Sequence, residues 1–316
     1  MMKAAVISAY GAPEALHVKE LERPRIKSGE VLIRVRAVAV TSADSRIRAA
    51  RFPRGFGFLA RLAFGVFKPR VKILGSTYSG VIDEVGEGVS GFLVGDEVCG
   101  MTGIKMGTYA EYIKVNGASI VKKPKTVSHE QAAGLLFGGT AALYFIRDKL
   151  SVTKGDTVLV NGASGAVGTN AVQLASYFGG KVTAVTSPDN SALVARLGAE
   201  DYIDYLKHDL ATLGKRFGVV LDTVGTISPM LAQKLLGSGG RAGLMVASLG
   251  EMFKARGPVM TGTATEKPED IKFLLGLVEA GDLEVVIEKV YDFKDIVAAH
   301  THADTGKKIG NIVVTL

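Results

Sequence analysis

The sequence predicts an α/β protein in two parts, one β-rich and one a doubly wound parallel sheet. Three observations carry this. The first ~120 residues read as short strands divided by turns. From Asp156 onward, strands and helices alternate at the pitch of βαβ units. A glycine-rich turn, with Gly162, Gly165 and Gly168, stands between one such strand and its helix. The length of 316 residues fits two domains of ~150 residues each.

Taken in order, the β-rich part places strands at 3–8, 31–40, 79–85, 96–99 and 109–115. Turn residues such as Gly86-Glu87-Gly88 and Gly95-Asp96 bound several of them. Near Ser128 the texture changes. Its hydroxyl is placed to cap a helix running through Gln131, Ala132 and Leu135. Then follow the strand DTVLV, a helix at 166–177, the strand KVTAVT and a helix at 191–197. The strand GVVLDT, a helix at 231–236 and the strand RAGLMVA continue the alternation. A helix at 271–279 and the strands VVIEKV and NIVVTL, around a further helix, complete the chain. No internal repeat or low-complexity tract interrupts it.

Composition narrows the function classes. Apolar residues make up 47% and charged residues 22%, ordinary for a globular protein with a full core. The single cysteine, Cys99, excludes an intramolecular disulfide and a cysteine-rich zinc site. The opening MMKAAVISAY reads as neither a leader nor an anchor, and no run of apolar residues is long enough to span a membrane. A cytoplasmic protein is expected. The net charge of +7 is local: eight of the 38 basic residues lie at 46–72, where no acid occurs, and the other 30 are outnumbered by 31 acids. Phe52, Phe56, Phe58, Phe64 and Phe67 share that segment. It reads either as a phosphate-binding or membrane-surface patch, or as an insertion whose phenylalanines pack down while its arginines face water.

The stretch DTVLVNGASGAVGTNAVQLASYFG carries the chemistry. Gly162, Ala163, Ser164, Gly165, Ala166, Val167 and Gly168 let the backbone turn sharply and approach a pyrophosphate closely. The first N–H groups of the following helix then face that anion. The next strand ends in Thr186 and Ser187 with no carboxylate to hold a ribose 2′-hydroxyl. Hydroxyls there can donate to a 2′-phosphate, so NADP(H) is expected over NAD(H), although Pro188, Asp189 and Asn190 supply no cation.

KAAVISAYGAPEAL, EVLIRVRAVAVTSADSRIR, ILGSTYSGVIDEVGEGV, GDEVCG, TYAEYIKV, NGASGAVG, GAEDYIDY, VVLDTVG and TGKKIGNIVV occur in that order. With these segments the chain resembles the zinc-free, quinone-oxidoreductase-like branch of the medium-chain dehydrogenases/reductases over nearly its whole length. The resemblance implies a GroES-like barrel from residues 1–122 and 268–316, a Rossmann domain at 123–267, a cleft between them, and a homodimer. It implies that Thr140 contacts the nicotinamide end, with a helix N-cap as its alternative role. Tyr205 is placed near the adenosine 2′-phosphate, or else simply covers the sheet edge. Val224, Val246, Ala247, Ser248 and Asn311 are implied as further cofactor contacts.

In zinc-dependent relatives a cysteine stands at the position of Thr41 and a His-Glu pair at Ser76 and Thr77; none of these three residues is a useful zinc ligand. His17, His129, His208, His300 and His302 read as non-ligands, and no metal is expected. Without a Lewis acid, alcohol oxidation is disfavoured. Conjugate hydride addition to a quinone, enone or alkenal instead builds an oxyanion that hydrogen-bond donors can stabilise. Related reductases carry Asn and Tyr at the positions of Thr41 and Arg46, which here become the first candidate donors. Asp44 is read as structural and Tyr78 as a weaker candidate. A Tyr-x-x-x-Lys string at Tyr177 and Lys181 falls too early in the fold to be catalytic.

The expected activity is therefore NADPH-dependent, zinc-independent reduction of a small apolar carbonyl or quinone. A zinc-free NAD(P)-dependent alcohol dehydrogenase, or a non-catalytic nucleotide- or RNA-binding regulator, is the alternative; nucleic acid is not the favoured partner. The phenylalanines of 52–67 are expected to wall the substrate entrance as a mobile lid, flexing at Gly55, Gly57 and Gly65.

Overall fold

The computed structural model describes residues 1–52 and 54–316; Pro53, inside the expected lid, lies outside the described residues. The β-rich half contains β1 (Met2–Ile7), β2 (Leu16–Leu21), β3 (Glu30–Val40), β4 (Thr77–Val85), β5 (Glu97–Met101), β6 (Tyr112–Asn116) and β7 (Ile120–Lys122). The parallel half contains β8 (Thr157–Asn161), β9 (Lys181–Thr186), β10 (Ala199–Asp204), β11 (Phe217–Asp222), β12 (Leu236–Leu244) and β13 (Val259–Thr261). Two final strands, β14 (Ile287–Asp292) and β15 (Asn311–Thr315), return to the first half. There β15 pairs antiparallel with β3, Ile312 opposite Val40. Strand order in this sheet is β14-β15-β3-β4-β5-β7, with β6 also on β3. This is the GroES-like barrel, made from both chain ends.

The six-stranded sheet runs β10-β9-β8-β11-β12-β13 with every pair parallel. The order reverses between β8 and β11. That is the crevice where open α/β sheets bind ligands, and the glycine-rich turn leaves the carboxyl end of β8 there.

Helices α1 (Ser42–Arg48), α2 (Gly57–Phe64) and α3 (His129–Leu143) come first in the chain. The expected cap of α3 is present in full: Ser128 accepts from Gln131 N–H while the Gln131 side chain accepts from Ser128 N–H. Ala133 on α3 packs with Ala37 and Val313 of the barrel. On its other side α3 crosses the start of α4 (Ala166–Tyr177), so closely that a Cβ on Gly138 would lie 2.2 Å from Ala166 O. One helix thus fixes the barrel relative to the nucleotide turn.

The sheet's other helices are α5 (Ser191–Arg196), α6 (Pro229–Leu235), α7 (Leu249–Lys254) and α8 (Pro268–Ala280), and α9 (Ile296–Asp304) lies on the barrel. Ile271, Leu274 and Leu277 of α8 share one apolar cluster with Val158, Val160 and Leu135. The expected domain boundary at residue 268 therefore falls within a continuous core. No helix among the described residues is long and apolar enough to cross a membrane.

The segment at 46–72 departs from the expectation that its phenylalanines pack inward and its arginines face water. Arg48 is fully buried, donating to Asp304 at 2.5 Å, Gly11 O at 2.8 Å and His300 Nδ1 at 3.3 Å. Phe52 and Phe64 stack, centroids 6.1 Å apart, against the barrel core. Phe58 on α2 and Phe67 beyond it instead stand 74% and 91% exposed, and α2 has no buried residue. Phe58 and Phe64 stand six residues apart on α2, about 120° apart around its axis, so one face does not hold both.

Candidate functional site

The turn after β8 is built for close backbone approach. Gly162 has φ +78°, and a Cβ on it would strike Val224 and Thr223. A Cβ on Gly168 would fall 2.0 Å from Gly162 O, so only glycine lets α4 begin so near the strand end. Gly165, the residue before α4, offers no side-chain cap. The first N–H groups of α4, at Ala166, Val167 and Gly168, are therefore left for an anion at the positive end of the helix dipole. Ala163 is buried beneath the turn, and Ser164 O accepts from Gly310 N–H at 2.8 Å.

That last bond ties the turn to the C-terminal strand. Asn311, expected to touch the cofactor, is buried and donates its side-chain amide to Val286 O at 3.0 Å. It holds the approach of β15 to the turn.

Two positioning residues went unmarked in the sequence. Asp222, fully buried at the end of β11, accepts from Asn161 Nδ2 at 2.8 Å and from the N–H groups of Val224, Gly225 and Ile227. Asn161 also donates to Thr226 Oγ1 at 2.8 Å. Together they lock the loop at 223–227 against the glycine turn and present the half-exposed Val224. Their signal was a polar residue closing an otherwise apolar strand, in VLVN and VVLD.

At the end of β9, Thr186 is 2% exposed and its hydroxyl has no hydrogen-bond partner among the described residues. Ser187 accepts from Asn190 Nδ2 at 3.2 Å. In register beside Thr186 lies Asp204 of β10, whose Oδ1 accepts from Leu206 N–H at 3.0 Å. Tyr205 follows on this edge strand, 56% exposed.

Thr140 sits deep within α3, donating to Leu136 O at 2.6 Å and standing 3.7 Å from Met101 Sδ. The alternative role as a helix N-cap is thereby corrected: Ser128, at the helix start, is the cap. Beyond β12, Val246, Ala247 and Ser248 lead into α7. Ser248 forms a capping box with Glu251, so its N–H and hydroxyl are already engaged. Among the described residues the N–H groups of Val246 and Ala247 have no protein partner.

On the barrel side, Thr41 caps α1. Its hydroxyl donates to Asp44 Oδ2 at 2.6 Å, and Asp44 Oδ2 also accepts from Thr41 N–H at 2.8 Å. Burial pushes the Asp44 carboxyl up despite these bonds. Arg46, one turn on, is half-buried, pairs with no carboxylate among the described residues, and has its pKa lowered by desolvation. Tyr78 lies wholly inside the barrel core, facing Gly100. Thr77 Oγ1 accepts from Ala39 N–H at 3.2 Å, and Ser76 O accepts from Thr102 N–H at 2.8 Å. Among the described residues no three His, Cys, Asp or Glu side chains gather as a metal site. His300 instead serves Arg48 and is pushed down to about 3 by burial, and burial raises the Cys99 thiol to about 12.

A doubly wound sheet with an uncapped helix behind a turn that needs glycine at 162 and 168, beside a barrel, defines a dinucleotide-binding architecture. The comparisons agree. An alcohol dehydrogenase GroES-like domain matches residues 27–125 and a zinc-binding dehydrogenase domain matches 197–314. The chain is 30% identical to an NADPH-dependent alkenal/one oxidoreductase of Arabidopsis thaliana, over 99% of this chain and 79% of that one. It is 29% identical to a quinone oxidoreductase of Pseudomonas aeruginosa over 99% of both. The structure of the quinone oxidoreductase from Coxiella burnetii superposes with TM-score 0.90 at 28% identity, covering 100% of this chain and 99% of that one. The protein is an NAD(P)H-dependent oxidoreductase. It belongs to the medium-chain dehydrogenases/reductases, in the quinone-oxidoreductase-like branch.

Proposed function

We propose that the protein reduces quinones, enones or alkenals with NADPH and without a metal. One observation carries the reading: Arg46 stands near the capped start of α1 as a half-buried cation that no carboxylate among the described residues neutralises. A guanidinium stays protonated, so it can hold the oxyanion that forms when an activated acceptor receives a hydride. The hydroxyls of Thr41, Ser76 and Thr77, standing where zinc-dependent relatives carry ligands, support a metal-free cleft, since zinc favours thiolate, imidazole and carboxylate.

The chain's residues fit a nicotinamide dinucleotide. Gly162 to Gly168 and the start of α4 would take the pyrophosphate. The unpartnered Thr186 hydroxyl, with Ser187, would donate to the 2′-phosphate, and Tyr205 would lie beside it. Thr140, Val224 and the free N–H groups of Val246 and Ala247 would orient the nicotinamide end. When bound, the dihydronicotinamide supplies the hydride. Arg46 would fix the acceptor's oxygen, and the barrel wall would exclude water. Thr41 joins the donors only by exchanging its bond to Asp44. Asn161 and Asp222 act as positioning residues, holding the loop that meets the turn.

NADPH oxidation followed across quinones, enones, aldehydes and, in reverse, alcohols tests this. Turnover is expected with quinones and enones; turnover confined to alcohols and saturated aldehydes would reject it.

A further inference from the structure

The segment beyond α1, expected to wall the substrate entrance, also displays an exposed apolar and basic surface. Phe58, Leu59, Leu62 and Phe67 stand 74%, 55%, 44% and 91% exposed, and Val66 38%. The patch continues onto α7, where Phe253 is 72% exposed. Leu249 N–H donates to Arg54 O at 3.0 Å, joining the two pieces. Around these side chains lie Arg54, Arg61, Lys68, Arg70 and Lys72, all exposed, none paired with a carboxylate among the described residues. Among the described residues only Arg48 and Arg51 of the segment's eight cations have one, and both share Asp304.

We propose that this face docks the protein on an anionic membrane surface, with the phenylalanines and leucines entering the headgroup boundary and the cations meeting acidic lipid. The chemistry selects this occupant. Leucine and valine side chains gain nothing from a phosphate backbone and cannot stack on bases, so RNA would leave them wet. A second copy laid on the same patch about a two-fold axis would set these cations against each other, with no acid in the segment to meet them. An anionic bilayer satisfies both halves at once: acyl chains and headgroups for the apolar tips, surface potential for the cations. The docking stands independently of which acceptor is reduced.

Flotation of the full chain with vesicles of phosphatidylcholine alone, or with phosphatidylserine added, tests the proposal. Binding is expected only with phosphatidylserine and is weakened by salt. Arg54→Gln/Lys68→Gln/Lys72→Gln should lower partitioning by roughly two orders of magnitude. Phe58→Ser/Leu59→Ser/Phe67→Ser should also release the protein, while NADPH turnover with a small water-soluble quinone stays unchanged for Arg54→Gln/Lys68→Gln/Lys72→Gln. Equal partitioning onto neutral and anionic vesicles, or none onto either, would overturn the proposal. So would a salt-dependent RNA affinity that survives the serine variant, or a dimer in sedimentation that the serine variant dissolves.

Discussion

At the residue scale, cofactor choice turns on one hydroxyl. Thr186 is buried at the end of β9 with its Oγ1 unpartnered among the described residues, a state that costs free energy unless a ligand completes it. A carboxylate there would accept from a ribose 2′-hydroxyl and repel a 2′-phosphate. Thr186→Asp is therefore expected to weaken NADPH relative to NADH by at least about tenfold in fluorescence titration. An unchanged ratio would place the 2′ group elsewhere. Arg46 carries the second residue-scale expectation. Arg46→Gln should cut kcat/KM for enones by about 10²-fold and leave NADPH affinity intact, as removal of an oxyanion donor does. A loss confined to NADPH binding would make Arg46 a cofactor contact instead.

At the scale of elements, α4 was legible to its end residues, because its apolar spacing follows a turn that admits only glycine at 162 and 168. Gly168→Ala tests that geometry. Its Cβ would meet backbone 2.0 Å away, so a loss of about 1–3 kcal/mol of stability and weaker dinucleotide binding are expected. Calorimetry and titration would check both. The pairing of α1 with α9 was not legible. Arg48 reads as one cation in a basic run, and its partner Asp304 lies 256 residues away. Nor could spacing show that α2 packs on the barrel core only through Phe64 and buries none of its residues, since an amphipathic pattern does not tell which face is covered. The Thr140 cap failed for a similar reason: helix α3 starts earlier, at Ser128, and runs through the glycines of GGT.

The α1–α9 contact also sets a pH dependence. The folded chain holds His300 down at about 3, while the unfolded chain takes up its proton near ~6.5. The unfolded state thus binds more protons between these values, so this contribution is full above the upper one and is lost as pH falls toward the lower. Arg48 bonding and charge also lower Asp304, against an opposing desolvation, and the lowered carboxyl acts in the same direction. His300→Gln keeps an acceptor for Arg48 and removes the titration. The difference in denaturation midpoint between pH 7 and 4.5, worth about 2 kcal/mol from this group, should narrow in the variant. An unchanged difference would assign acid sensitivity elsewhere.

At the scale of the whole molecule, the return of β14 and β15 to the barrel brings Gly310 onto Ser164 O and so ties the nucleotide turn to the opposite domain. The segments naming the family were spread along the chain in order, which is why the architecture could be read before any contact was seen. Where the acceptor would bind could not, because the family resemblance implies other residues at the positions that Thr41 and Arg46 occupy. The central claim is that hydride reaches an activated carbon–carbon bond or quinone without a metal. The most direct measurement uses chelated protein, an α,β-unsaturated ketone and NADPH deuterated at the transferred position, with the product read by mass spectrometry and NMR. A saturated ketone carrying deuterium on the β-carbon is expected. An allylic alcohol with deuterium on the carbinol carbon, or a loss of turnover on chelation that zinc restores, would contradict it.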